Sequence, residues 1–162
     1  MSGTAQKRLS KELQKFKTQQ PPDMWIESDK DMTVVTKIRG PRETFWQDNT
    51  YSLQMVFKAT YPMTAPDVRF ITPIFHPNVY QDGRICLDIL SGQWSPIYGI
   101  EAILTSIRSL LCDPNPDSPA NGEAARLYNE NQAEYQKKNF QQPPQKEKEP
   151  ELAKQVQELL HL

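Results

Sequence analysis

Cysteine and histidine are scarce: the 162 residues hold two of each, Cys86 and Cys112, His76 and His161. Two cysteines make no disulfide framework, so in a reducing compartment each is either a packed thiol or a reactive one. Cys-x-x-Cys is absent, which removes a thiol redox motif, and no ligand spacing fits a zinc site. No metal and no cofactor are therefore expected. Long apolar runs are also missing, and the first nine residues lack the apolar block of a secretory signal, so the expectation is no membrane association and a cytoplasmic or nuclear location. Neither charge sign is in excess: Lys+Arg 19 stand against Asp+Glu 20, a net charge of -1, which leaves no electrostatic basis for nucleic-acid binding.

What is present suits a globular domain. At 37% apolar and 24% charged residues, the chain can bury a core without disulfides or metals. Residues 4–17 read as an amphipathic helix, with Ala5, Leu9, Leu13 and Phe16 on one face and Pro21-Pro22 ending it. Strand-like runs follow at 25–28, 33–38, 51–58 and 68–71, with a polar turn at 29–31. In the third, Tyr51, Leu53, Met55 and Phe57 alternate with polar residues, and only Val56 breaks the period of two. Short connections make an antiparallel meander the simplest topology. Residues 100–112 carry Ile100, Ile103, Leu104, Ile107, Leu110 and Leu111 at helical spacing, which predicts the central core helix. Asn121 can cap a following helix, and another runs over 132–140. The fold class is α+β: an N-terminal helix, a four-stranded antiparallel meander, an irregular segment, the core helix and C-terminal helices. Residues 1–142 form the domain. Residues 143–162 are an extension in which a polar, Pro-containing linker leads to an apolar stripe of Leu152, Val156, Leu159 and Leu160 on a final helix.

Between 72 and 99 no period is sustained, although the stretch keeps apolar anchors, and a long irregular segment inside a domain is often functional. Cys86 lies there, just after the Asp82-Gly83 turn, where a thiol can be accessible and act as a nucleophile. Taken alone it reads more readily as a small buried hydrophobe. Cys112, closing an apolar helix, reads as structural.

The segment runs His76-Pro77-Asn78-Val79-Tyr80, then Asp82-Gly83-Arg84-Ile85-Cys86-Leu87-Asp88-Ile89-Leu90, then Trp94-Ser95-Pro96. This order and spacing resemble the active-site block of the ubiquitin-conjugating (UBC) family. The resemblance covers residues 5–140 and takes in Gly40-Pro41, Tyr61-Pro62, Asp113-Pro114-Asn115-Pro116 and Ser118-Pro119-Ala120-Asn121. It implies a transferase of the UBC fold. Such an enzyme accepts ubiquitin as a thioester on Cys86 from an activating enzyme, which is where ATP is spent. It then passes ubiquitin to a lysine of a protein substrate, with a ligase of RING type.

The resemblance also implies that Asn78 donates to the oxyanion formed when the amine attacks; bracing the loop through backbone bonds is a compatible second role. His76, flanked by Phe75 and Pro77, reads as a satisfied structural histidine rather than a base. Where some members of the family place an acid beside the cysteine, this chain has Ser118, with Asp117 adjacent, so Asp88 and Asp117 are the acids near the site. Ser118-Pro119 is also a candidate phosphorylation site that could supply the missing charge.

By the same resemblance, activating enzyme and ligase share a patch that here holds Lys7, Arg8, Lys11, Met63, Pro96 and Ile97. Solvated basic residues and a gap-filling methionine are the plainer alternatives. After Gly40-Pro41 the usual Gly pair is replaced by Asp48-Asn49, residues that tolerate left-handed backbone. Other readings fit less well. A carrier of a ubiquitin-like modifier is the nearest, but Leu87-Asp88-Ile89-Leu90 running directly into Ser91-Gly92-Gln93-Trp94 favours ubiquitin. A non-catalytic binding module of the UBC fold would lack Cys86, and a cysteine hydrolase needs a histidine base beside the thiol.

Overall fold

The computed structural model describes residues 3–140. The 143–162 extension, with its expected linker and final helix, lies outside the described residues.

Helix α1, Gly3–Gln19, buries Ala5, Leu9 and Phe16 on one face. It stops where Gln20 turns left-handed, φ 47, and its N–H reaches back to the Phe16 carbonyl. Pro21 then forbids continuation. Strands β1 (Met24–Lys30), β2 (Thr33–Arg39), β3 (Thr50–Val56) and β4 (Asp67–Phe70) form one antiparallel sheet in the order β1-β2-β3-β4, the expected meander. The turn expected at 29–31 sits later. Lys30 pairs with Thr33, and Asp31 and Met32, at φ 52 and 65, make the two-residue loop. Positive φ at both central positions matches the right-handed strand twist, which is why pairing runs to the very end of β1.

One face of the sheet carries the core. Val34, Thr36 and Ile38 of β2 and Tyr51, Leu53 and Met55 of β3 point inward at a period of two, while Val56 faces out. Helix α2, Ile100–Cys112, buries Ile100, Ile103, Leu104, Ile107, Leu110 and Leu111, every residue its periodicity singles out. Full burial of each such side chain contributes about 1.5–3 kcal/mol, so this helix anchors the domain. Helix α3, Gly122–Glu130, is capped by the Asn121 side chain, which accepts from the Ala124 N–H at 3.1 Å. Helix α4, Gln132–Phe140, contributes Tyr135, fully buried edge-on to Phe45, Trp46 and Tyr128.

The β2–β3 connection keeps its turn without the left-handed Asp48-Asn49 pair. Among the described residues neither has positive φ; Glu43 does, at 63°. Gly40 is required there for another reason, since a Cβ on it would lie 1.7 Å from the Trp46 carbonyl oxygen. The Trp46 indole in turn donates to the Leu111 carbonyl at 3.0 Å, tying this loop to the end of α2.

Candidate active site

The His76-Pro77-Asn78 triplet is buried throughout, and its residues bond the end of α2, the start of α3 and the 115–118 loop. His76 Nδ1 accepts from the Asn78 N–H at 3.0 Å, so Nε2 carries the proton and donates to the Leu110 carbonyl at 2.8 Å. Burial pushes the ring's pKa down to about 4, so the imidazole is neutral at pH 7 with both nitrogens committed. It is the satisfied structural histidine expected from its neighbours, and it fixes the end of α2 to the triplet. The Pro77 carbonyl accepts from the N–H groups of Ala120 (2.7 Å) and Asn121 (3.0 Å), which anchors the start of α3.

Asn78 completes the junction. Its Nδ2 donates to the carbonyls of Asn115 and Ser118, each at 2.8 Å, and its Oδ1 accepts from the Asn115 N–H at 2.8 Å. The amide thus braces the 115–118 loop. Both of its hydrogens are in use, so an oxyanion gains a bond from Asn78 only when one of those carbonyls is released.

Residues 79–85 form a small hairpin: Val79 pairs with Ile85, the Tyr80 N–H donates to the Arg84 carbonyl, and the Gly83 N–H donates to the Tyr80 carbonyl. Gly83 is left-handed at φ 93, and a Cβ there would meet the Phe70 carbonyl at 2.2 Å, so the hairpin closes on β4 only with glycine. Arg84 lies 4.8 Å over the Tyr80 ring and bonds Asp82, whose carboxyl is held below its usual range by the Arg84 backbone N–H and then its side chain.

Cys86 leaves this hairpin with its N–H donating to the Asn78 carbonyl at 2.8 Å. It is half-buried, neither sealed in the core nor fully solvated. A turn of 3-10 helix, Asp88–Leu90, follows directly, and Asp88 is exposed with its carboxylate accepting from the Ile89 N–H. The structure therefore brings Cys86, Asn78 and Ser118 into one hydrogen-bonded chain. Asp117 is exposed on the same loop, its N–H donating to Asn115 Oδ1.

Cys112 departs from expectation: it is exposed, not packed. The apolar periodicity of α2 ends one residue earlier, at Leu111, and position 112 turns outward. Partial burial still pushes its thiol pKa up. Among the described residues no group of three His, Cys, Asp or Glu side chains could hold a metal ion, and no helix is long and apolar enough to cross a membrane.

Of the six patch residues, the structure joins Arg8 directly to Pro96. Lys7, Arg8 and Lys11 lie on α1, while Met63 and Ile97 stand out at 72% and 85% exposed, which rules out a gap-filling Met63. Arg8 belongs to the frame rather than to open surface: Nη2 donates to the carbonyls of Pro96 (2.7 Å) and Tyr98 (3.3 Å). The two loops touch through the Trp94 indole, which donates to the Pro62 carbonyl at 2.9 Å. Helical periodicity in α1 gives no hint of Glu12, which bonds Arg8, Tyr61 and Ile100. The only signal for it is its position four residues after Arg8.

Residues 8–142 match the family described as "Ubiquitin-conjugating enzyme". "Ubiquitin-conjugating enzyme E2 3" of Arabidopsis thaliana is 49% identical over 141 residues, covering 85% of this chain and 93% of that protein. "Ubiquitin-conjugating enzyme E2 1" of Caenorhabditis elegans is 46% identical over 140 residues, 85% of this chain and 73% of that protein. "Ubiquitin-conjugating enzyme E2 2" of Neurospora crassa is 46% identical over 140 residues, with 85% and 93% covered. With the α+β meander fold in place and a cysteine positioned by a buried His-Pro-Asn triplet, the chain belongs to the ubiquitin-conjugating enzymes, acyltransferases that carry ubiquitin as a thioester.

Proposed function

We propose that Cys86 is the thiol that carries ubiquitin. Its thiolate attacks the thioester carbonyl presented by the activating enzyme, and that enzyme's thiol leaves, so one thioester replaces another at little net cost. An unprotonated lysine amine then attacks the new carbonyl, loses a proton and expels the Cys86 thiolate. The observation that carries this reading is the position of Cys86, half-buried and held by the Asn78 carbonyl within the family-matched residues.

Asn78 serves this step in two ways. It holds the 115–118 loop beside the thiol, and it donates to the oxyanion once a carbonyl yields its place, an effect worth about 3–4 kcal/mol in a well-formed hole. With a pKa near 10.4, only about one lysine amine in a thousand is neutral at pH 7.4, so desolvation and nearby acid decide the rate. Asp88 and Asp117 are the acids assigned to orient the amine. Phosphorylation of Ser118 would add about two negative charges on the loop Asn78 braces.

The enzyme works with ubiquitin, an activating enzyme, a ligase of RING type and protein substrates, and needs no cofactor of its own because ATP is consumed upstream. Lys7, Lys11, Met63, Pro96 and Ile97 form the surface for activating enzyme and ligase, with Arg8 fixing its floor. Exposed apolar side chains rimmed by basic ones suit a transient interface. The domain spans residues 1–142 and 143–162 is an extension to it, working in the cytoplasm or nucleus.

A single-turnover chase tests the reaction. Enzyme loaded with ubiquitin and freed of activating enzyme should transfer it to added lysine, with a rate that rises with pH as the amine deprotonates. A loaded species inert to lysine and to other amines would overturn the reading.

A further inference from the structure

We infer that Glu12 is a positioning residue for partner docking, a single carboxylate that sets the two loops carrying Met63 and Ile97 at a fixed spacing on α1. The inference rests on the docking surface proposed above and deepens it.

The geometry converges on that one side chain. Glu12 Oε2 accepts from Arg8 Nε at 3.1 Å and from the Tyr61 hydroxyl, and Oε1 accepts from the Ile100 N–H at 3.1 Å. Its side chain is only 16% exposed. Tyr61 lies in the β3–β4 loop that raises Met63, two residues on. Ile100 closes the loop that raises Ile97, and Arg8, oriented by Glu12, clamps that same loop through Pro96 and Tyr98. Gly99 fits the arrangement, because a Cβ there would lie 2.3 Å from Glu12 Oε1. The loop thus packs directly on the carboxylate, and a side chain at position 99 would push that carboxylate aside. The Arg8 guanidinium also lies 5.8 Å from the Tyr61 ring centre, and the Tyr61, Trp94 and Tyr98 rings follow in contact. Charge-assisted hydrogen bonds of this kind are the strong ones, and a partly buried carboxylate with three donors holds its neighbours in one arrangement.

The consequence is specific. Met63 and Ile97 are anchors a partner reads together, exposed at the loop tips, and neither is one of the three groups that donate to Glu12. Removing the carboxylate loosens the spacing between two anchors without altering either one. The loss then falls on association, because a partner must first order what the free enzyme no longer holds.

The test uses the full chain in ligase-stimulated discharge of the ubiquitin-loaded enzyme, with ligase concentration varied. Glu12→Gln keeps the shape but has a single acceptor oxygen, so it cannot take Arg8 and Tyr61 on one side and the Ile100 N–H on the other; Glu12→Ala removes all three bonds. Gly99→Ala disturbs the same contact from the opposite side. Each is expected to raise the half-saturating ligase concentration about tenfold, while the rate at saturation moves less than twofold. Ile97→Ala runs alongside. If Ile97→Ala leaves half-saturation unchanged, the docking surface itself is wrong, and the inference goes with it. If Ile97→Ala weakens association but Glu12→Gln and Gly99→Ala, both folded by circular dichroism, do not, the docking surface stands and the role of Glu12 is overturned. A fall in the saturating rate with half-saturation unchanged would overturn it as well.

Discussion

The Cys86 amide and the Asn78 side chain are joined through one residue: the Asn78 carbonyl takes the Cys86 N–H at 2.8 Å, while the Asn78 amide holds Asn115 and Ser118. The thiol and the loop opposite it are therefore set by the same buried asparagine. Replacing Asn78 by Ala leaves three backbone groups to find new partners, at about 1–3 kcal/mol for each one that stays buried and unpaired. Denaturant unfolding of Asn78→Ala should show a loss of at least about 2 kcal/mol. Asn78→Asp should be no better, since a second carboxylate oxygen would face two carbonyls. A variant as stable as the parent would contradict the bracing role.

His76 makes stability depend on pH. Its pKa in the folded chain is about 4 against 6.5 when unfolded, so between those values the unfolded chain binds more protons. The stabilisation is complete above pH 6.5 and is lost as pH falls toward 4, a difference on the order of 3 kcal/mol. Unfolding free energies measured between pH 7.5 and 4.5 should fall accordingly, and His76→Gln should remove this part of the slope. A His76 ring that titrates above pH 6 by NMR would contradict the burial argument.

Gly83→Ala places a Cβ 2.2 Å from the Phe70 carbonyl at φ 93. The left-handed backbone alone costs a non-glycine residue about 1–3 kcal/mol, and the clash adds to it. Calorimetry should show a clearly lowered Tm, and the Tyr80–Arg84 hairpin, on which the approach to Cys86 depends, should lose amide protection. An unchanged Tm would mean that the hairpin does not close on β4.

Much of this architecture was open to a reading of the residues. α2 is legible because six apolar positions repeat at helical spacing, and both its ends fall where expected. The β-strands are legible from alternation, but their ends are not: β1 runs to Lys30 because cross-strand pairing with Thr33 outweighs the turn tendency of Asp29. Cys86, His76 and Asn78 are legible through motif spacing, yet their division of labour is not. That Asn78 spends both N–H groups on carbonyls 37 and 40 residues away is a tertiary fact. Glu12 and the outward turn of Cys112 are likewise set by which neighbours arrive, which no local pattern records.

Cys112 offers a clean control. Its side chain is exposed at the end of α2, so Cys112→Ser should shift unfolding free energy by less than about 0.5 kcal/mol. Loading with ubiquitin should be unaffected. A loss above about 2 kcal/mol would mean that the thiol is packed after all.

Ser118→Asp should raise the rate of lysine discharge near neutral pH, because a carboxylate on the loop that Asn78 holds can orient the incoming lysine and take its proton. Single-turnover rates across pH 6.5 to 9 check this; an unchanged rate at every pH would contradict it.

The most direct measurement concerns the atom that carries the acyl group. The Cys86→Ser enzyme, mixed with ubiquitin, activating enzyme and ATP, should form an adduct that resists thiols but is cleaved by hydroxide, an oxygen ester at residue 86 identified by peptide mass. Parent and Cys112→Ala enzymes should form one that thiols cleave. A thiol-cleaved adduct in the Cys86→Ser enzyme, or attachment mapped to Cys112 or to a lysine in the parent, would contradict the account.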